Sequence, residues 1–200
     1  LHGARLLLFG AVHEPTGKVF SADEARQIAD ACAARGVTLV CDDSTHDTVF
    51  DGPPPAHPEA LCEGLRGAVC VAVDAAVAAR ATGWRVGWVL TPPALTDAVR
   101  ANLRDAGAPP PSALQLGTAE LLATPRAARC ALLASEARER CAALVGALRA
   151  AGFDVDAPPR GGRYVLASYG GVAALRALRP AEVATALLRQ CGVACAPVEG

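Results

Sequence analysis

Lysine is almost missing. Of the 19 basic residues in this 200-residue chain only Lys18 is a lysine, and the others are arginine. Any chemistry that needs a side-chain amine as nucleophile therefore has a single candidate. Methionine is absent, and Phe, Tyr and Trp number four, two and two. So sparse an aromatic set leaves little for stacking against bases. Neither charge sign is in surplus. A net charge of −1 gives no electrostatic reason to expect nucleic acid or an anionic membrane as partner. No apolar run is long and uninterrupted enough to span a bilayer, and no basic-then-apolar leader opens the chain. The lack of an initiating methionine, with a first strand that begins almost at once, reads as a fragment or an excised domain.

Cysteine is plentiful but unordered. The eight residues stand at 32, 41, 62, 70, 130, 141, 191 and 195, with no CxxC pair and no zinc-ligand spacing. Most lie inside apolar patterns, as in Val69-Cys70-Val71, so buried free thiols in a reducing, intracellular compartment (cytoplasm or organelle matrix) are expected, with no metal site. With 52% hydrophobic residues the chain can bury a core, about 70% of its unfolded surface at this length. The abundance of alanine and arginine carries no functional weight.

The apolar run Arg5 to Val12 reads as a buried strand. Ser21 followed by Glu24 is the capping-box spacing, and Ala25, Ile28, Ala29 and Cys32 line one helix face, with Gly36 as the stop. Val37 to Cys41 is the next buried strand, with Asp42-Asp43 at its carboxyl end. Strand, helix, strand at this spacing is a βαβ unit, which implies a parallel sheet. Further strands are expected over Ala68 to Val73 and Trp84 to Leu90. Helices are expected from Pro93 to Arg104, from Ala113 to Leu122 and, longest, from Pro125 to about Ala151, where Gly152 ends it. Thereafter Phe153 to Asp156, Arg163 to Ser168 and Val193 to Ala196 read as short strands around a helix over Pro180 to Gln190.

Three segments carry chemistry: His13-Glu14-Pro15-Thr16-Gly17-Lys18, Cys41-Asp42-Asp43, and Thr82-Gly83-Trp84-Arg85-Val86-Gly87-Trp88. A late Gly192-Val193-Ala194-Cys195-Ala196-Pro197-Val198 follows. In this order and spacing they resemble the class I/II aminotransferases, the fold-type-I enzymes that use pyridoxal phosphate, in particular the kynurenine and glutamine aminotransferase branch. The resemblance covers nearly the whole chain but only the middle and later part of the family's length. It implies an α/β, aspartate-aminotransferase-like fold: a three-layer, mostly parallel sheet plus a small α+β subdomain. Residues 1–125 correspond to part of the large domain, 126–151 to a long connecting helix and 152–200 to part of the small domain.

Carried over residue by residue, the resemblance gives Asp42 the role of pairing with the cofactor's pyridine nitrogen, keeping it protonated so that the ring draws electrons. Arg85 matches the basic residue that holds the phosphate, where a planar guanidinium binds two oxygens at once. Other positions depart. Glu14 stands where the family has an asparagine bonded to the cofactor's phenolic oxygen, and sets a negative charge against it. Thr45 replaces a supporting tyrosine and is too short for the same reach. Val77 occupies the position of the Schiff-base lysine, within Val73-Asp74-Ala75-Ala76-Val77-Ala78-Ala79-Arg80, where polar residues have become apolar. Lys18 follows the turn and is expected to be solvated, and His13 and His46 are expected on loops or at the surface.

The implied activity is transamination of amino acids to 2-oxo acids in a homodimer. For this chain the expectation is no catalytic residue, impaired or absent turnover, and pyridoxal phosphate held non-covalently if at all. Its partners are expected to be small amino or oxo acids and a second or complementing chain, without nucleic acid or membrane. The alternatives are a non-catalytic structural or dimerisation domain, a non-covalent ligand-binding domain, and a truncated aminotransferase.

Overall fold

The computed structural model describes residues 3–62, 69–74, 81–107 and 110–198. Its centre is a four-stranded sheet in the order β1-β4-β5-β6, made of β1 (Leu6–Phe9), β4 (Thr38–Asp42), β5 (Val69–Asp74) and β6 (Gly87–Leu90). The first three strands run parallel, with Phe9 opposite Cys41 and Asp42 opposite Ala72. β6 returns antiparallel, Asp74 facing Gly87. Between β1 and β4 lie the two-residue strands β2 (Val12–His13) and β3 (Lys18–Val19), paired as a small hairpin. The run expected as one strand from Arg5 to Val12 therefore breaks at Gly10, beyond which the chain turns out of the sheet.

Helix α1 (Ala22–Ala33) begins where the sequence indicates. The Ser21 hydroxyl accepts from the Glu24 amide at 3.2 Å, and the Ser21 amide donates to the Glu24 carboxylate at 2.9 Å. Two amides at the helix start, otherwise unpaired, are thereby satisfied. Glu24 also accepts from Lys18 Nζ at 2.7 Å, and this hydrogen bond, with that from Ser21, holds its carboxyl at about 2. Ala25, Ala29 and Cys32 recur every three to four residues, so all three face the sheet, where they meet Phe9, Leu39 and Cys41. Gly36, at φ +62°, makes the left-handed turn into β4.

Past β6, α3 (Pro93–Asp105), α4 (Ser112–Leu122), α5 (Arg126–Ala150) and α6 (Pro180–Cys191) match the expected helices to within a residue or two, after the short α2 (Pro58–Leu61). The strand expected from Trp84 starts only at Gly87, because Thr82–Trp84 forms a 3-10 turn and Arg85 adopts a left-handed φ of +53°. The later strands contract further. Phe153 to Asp156 and Arg163 to Ser168 meet at one bridge, Asp154 with Ser168, and no strand forms over Val193 to Ala196. A ladder needs successive paired residues, and among the described residues these segments find one pair.

The segment after α5 instead reaches back to the β2–β3 turn and the loop after β4. Arg160 and Gly161 amides donate to the Gly17 carbonyl at 2.8 and 3.2 Å, Phe50 N–H to Arg160 at 2.9 Å, and Gly162 N–H to Thr48 at 3.0 Å. Gly17 is pinned twice over: its φ is +67°, and a Cβ there would stand 2.7 Å from Pro159 Cα. Gly17→Ala should therefore lower stability by more than about 2 kcal/mol in a denaturant titration, combining a left-handed backbone with a backbone clash. A loss under about 0.5 kcal/mol would show that this docking is not tight.

Candidate functional site

Parallel strands present their carboxyl ends together, and ligands of α/β folds bind there. In this chain Asp42 closes β4 at that end, and its Oδ1 accepts from the Ser44 amide at 3.0 Å, which steadies the turn. Arg85 reaches the same end from the other direction. β6 is antiparallel and Gly87 pairs with Asp74, the last residue of β5, so the residue two before Gly87 lies beyond the carboxyl ends. Arg85 is exposed.

Glu14 sits in the β2–β3 turn. The Gly162 backbone packs beside it, so that a Cβ on Gly162 would lie 3.7 Å from Glu14 Oε1. Although this residue keeps an open side, the approach removes water from the carboxyl. That partial desolvation pushes its pKa above the ordinary 4.5, Arg163 pulls it back down, and Asp42 pushes it up again. Glu14, Asp42 and Arg163 are thus electrostatic neighbours, although they are distant in sequence. Thr45 is buried, and its hydroxyl turns inward to donate to the Val12 carbonyl at 3.4 Å. Val77 lies outside the described residues.

Sequence reasoning missed Arg163. The signal was present in Arg160-Gly161-Gly162-Arg163, two glycines between two arginines after a diproline, which lets the backbone come close to Glu14 and Thr48. It also missed the environment of His46. The residue does lie on a loop, the turn after β4, but its ring is buried there and not at the surface, because the Pro55 carbonyl and Asp47 hold it from two sides, at 2.7 and 3.4 Å. His13 is exposed as expected, bonded to the Thr16 hydroxyl at 2.8 Å. Burial pushes the Asp43 carboxyl up, while the His57 and His46 charges draw it back.

The aminotransferase class I and II family model matches residues 2–200. The chain belongs to this family. Among curated relatives it is 36% identical over 155 residues to a valine–pyruvate aminotransferase of Mycobacterium tuberculosis, a match covering 76% of this chain and 39% of that protein. It is 31% identical over 97 residues to a kynurenine–oxoglutarate transaminase of Dictyostelium discoideum, covering 48% of this chain and 22% of that one. The N-succinyldiaminopimelate aminotransferase structure from M. tuberculosis superposes with a TM-score of 0.81 at 27% identity, over 98% of this chain and 51% of that one. The Rhizobium meliloti aspartate aminotransferase gives 0.81 at 25% identity, over 95% and 49%. The chain thus spans about half of those structures and less than half of those curated relatives, and it shares the aspartate aminotransferase fold. Among the described residues no helix is long and apolar enough to cross a membrane.

The raised pKa of Glu14 has a definite sign. Between the ordinary value of 4.5 and its folded value, the folded chain binds more protons at this group than the unfolded chain, so stability falls as pH rises through that window. Glu14→Gln removes the ionisation. It should be more stable than the parent at pH 7, with the advantage shrinking as pH falls toward 4.5, measured by denaturant midpoints along the pH series. Parallel curves for the two proteins would contradict this account of Glu14.

Proposed function

We propose that this chain is an aminotransferase-related piece whose cofactor site is impaired. In the family the cofactor is pyridoxal phosphate and the reaction transfers an amino group between amino acids and 2-oxo acids. The observation that carries the proposal is the fate of the chain's one lysine. Lys18 is ion-paired with Glu24 at 2.7 Å and stands 4.5 Å over the Phe20 ring, while Val77 occupies the position that the family resemblance assigns to the Schiff-base lysine. Glu14 and Thr45 weaken the fit further. The first brings a partly desolvated carboxyl where a neutral amide would suit a phenolate, and the second spends its hydroxyl on Val12. The donor set therefore does not fit a covalently held cofactor. Asp42 and Arg85, at one end of the sheet, are the residues left to contact a pyridine nitrogen and a phosphate in a non-covalent complex.

A second reading is favoured by the sheet's surface: the chain acts as a structural or dimerising part completed by further protein. Leu6 and Leu8 on β1 are 56% and 66% exposed, while Phe9 on the opposite face is buried under α1. A run of open leucines on a strand is surface that another protein layer would cover. In this reading residues 1–125 belong to the cofactor-binding half, α5 is the connector, and 152–200 belong to the smaller domain. Among the described residues the free thiols of Cys32, Cys62, Cys141, Cys191 and Cys195 suit a reducing, intracellular compartment.

Incubation with pyridoxal phosphate, followed by borohydride and an absorbance scan, separates covalent binding, non-covalent binding and none. The unmodified chain should show no borohydride-fixed cofactor, and amino-acid-driven conversion to the pyridoxamine form no faster than free cofactor. Val77→Lys should recover covalent attachment more than turnover, since Glu14 and Thr45 remain. Conversion by the unmodified chain well above the free-cofactor rate would overturn this reading.

A further inference from the structure

Just past the end of β4, one residue beyond Asp42, three donors from two loops meet. Asp43 Oδ2 stands 3.2 Å from His57 Nδ1, and donor atoms of Asp43, His46 and His57 all lie within 4.8 Å of one another. Phe9, Ala11, Cys41 and Ala56 line the same small concavity. The side chains of Asp43 and His46 are only 9% and 6% exposed, whereas that of His57 is 35% exposed. We propose that Asp43, His46 and His57 form a binding site for a divalent transition ion of the zinc class, which pins the loop carrying Pro55 and His57 to the end of β4.

Three features point to an ion. The donor set is mixed nitrogen and carboxylate, the kind zinc takes, and not a purely acidic cluster suited to calcium or magnesium. The first pair starts near ligand spacing: two ligands on a tetrahedral ion, with bonds of about 2.0–2.1 Å, stand roughly 3.3 Å apart, against the 3.2 Å between Asp43 and His57 before the ring turns. The outer contact of His46 is also of the required kind. A carbonyl can only accept, so the 2.7 Å contact to Pro55 places the proton of the neutral ring on Nε2, while Nδ1 stands 3.4 Å from the Asp47 carboxylate, a longer contact that coordination through Nδ1 replaces. Metal-bound histidines are typically oriented by such a bond from the other ring nitrogen to a carbonyl.

Ion entry demands that His46 Nδ1 give up Asp47 and that the two rings rearrange. The two imidazoles are stacked, centroids 4.8 Å apart and planes 6° from parallel, and no ion lies in the plane of both rings at once. His57 is the ring to turn, being the more open and standing in the loop just before α2. Its rotation exchanges the stack for coordination and draws in the third donor.

The test uses the full chain with Cys191→Ser and Cys195→Ser, so that the exposed thiols do not take the ion. Zn2+ is titrated calorimetrically and followed by imidazole NMR, with His13 as internal reference and Mg2+ as contrast. The site predicts one equivalent bound, shifts at His46 and His57 but not His13, a raised Tm, and no response to Mg2+. His57→Gln, at a partly exposed position that leaves the core untouched, should weaken Zn2+ at least about tenfold, and Asp43→Asn likewise. Zn2+ binding that His57→Gln leaves unchanged, or unmoved His46 and His57 resonances, would overturn the site.

Discussion

Thr48 is the knot on which the candidate site depends. It is almost completely buried, and its hydroxyl donates to the Thr45 carbonyl at 2.6 Å. The same oxygen accepts from Gly162 N–H at 3.2 Å, and the Thr48 carbonyl accepts from that amide at 3.0 Å. A buried polar group that lost these partners would carry the whole cost of its desolvation. The junction therefore forms completely or is strongly disfavoured. Through it the loop after β4, the β2–β3 turn and the Gly161-Gly162 segment become one surface, and Arg163 is delivered beside Glu14.

The core that carries this surface is built separately from it. The βαβ unit needs only apolar faces of the right period, and Ala25, Ala29, Cys32, Leu39 and Cys41 supply them. The positions that the family resemblance sets beside a cofactor lie outside this core, on turns and strand ends where a substitution costs little stability. Glu14 and Thr45 illustrate this. The carboxyl is tolerated because Arg163 offsets part of its desolvation, and the threonine satisfies itself against Val12.

Much of the fold was legible in order along the chain. Ser21 and Glu24 announce a helix start through contacts three residues apart, and Gly36 and Gly152 announce stops through backbone freedom at a single residue. Such signals are local, so they survive reading one residue after another. The strands after Gly152 were over-read for the opposite reason. Alternating apolar residues show that a segment could pair, but pairing needs a neighbour, and among the described residues of those expected strands only Asp154 and Ser168 find one.

The sequence by itself determined which side chains are available: one amine at Lys18, valine at 77, a carboxylate at 14, arginine at 85. It thereby limited the chemistry open to the chain, since no folding can create a side-chain amine where the sequence has none. Tertiary structure alone decided which of these residues become neighbours. Arg163 comes to Glu14, and His57 to Asp43 and His46, through hydrogen bonds between segments far apart in the chain or on separate loops. The physical reason is that a pKa or a ligand set depends on distance and desolvation, and both exist only once the loops have docked on the strand ends.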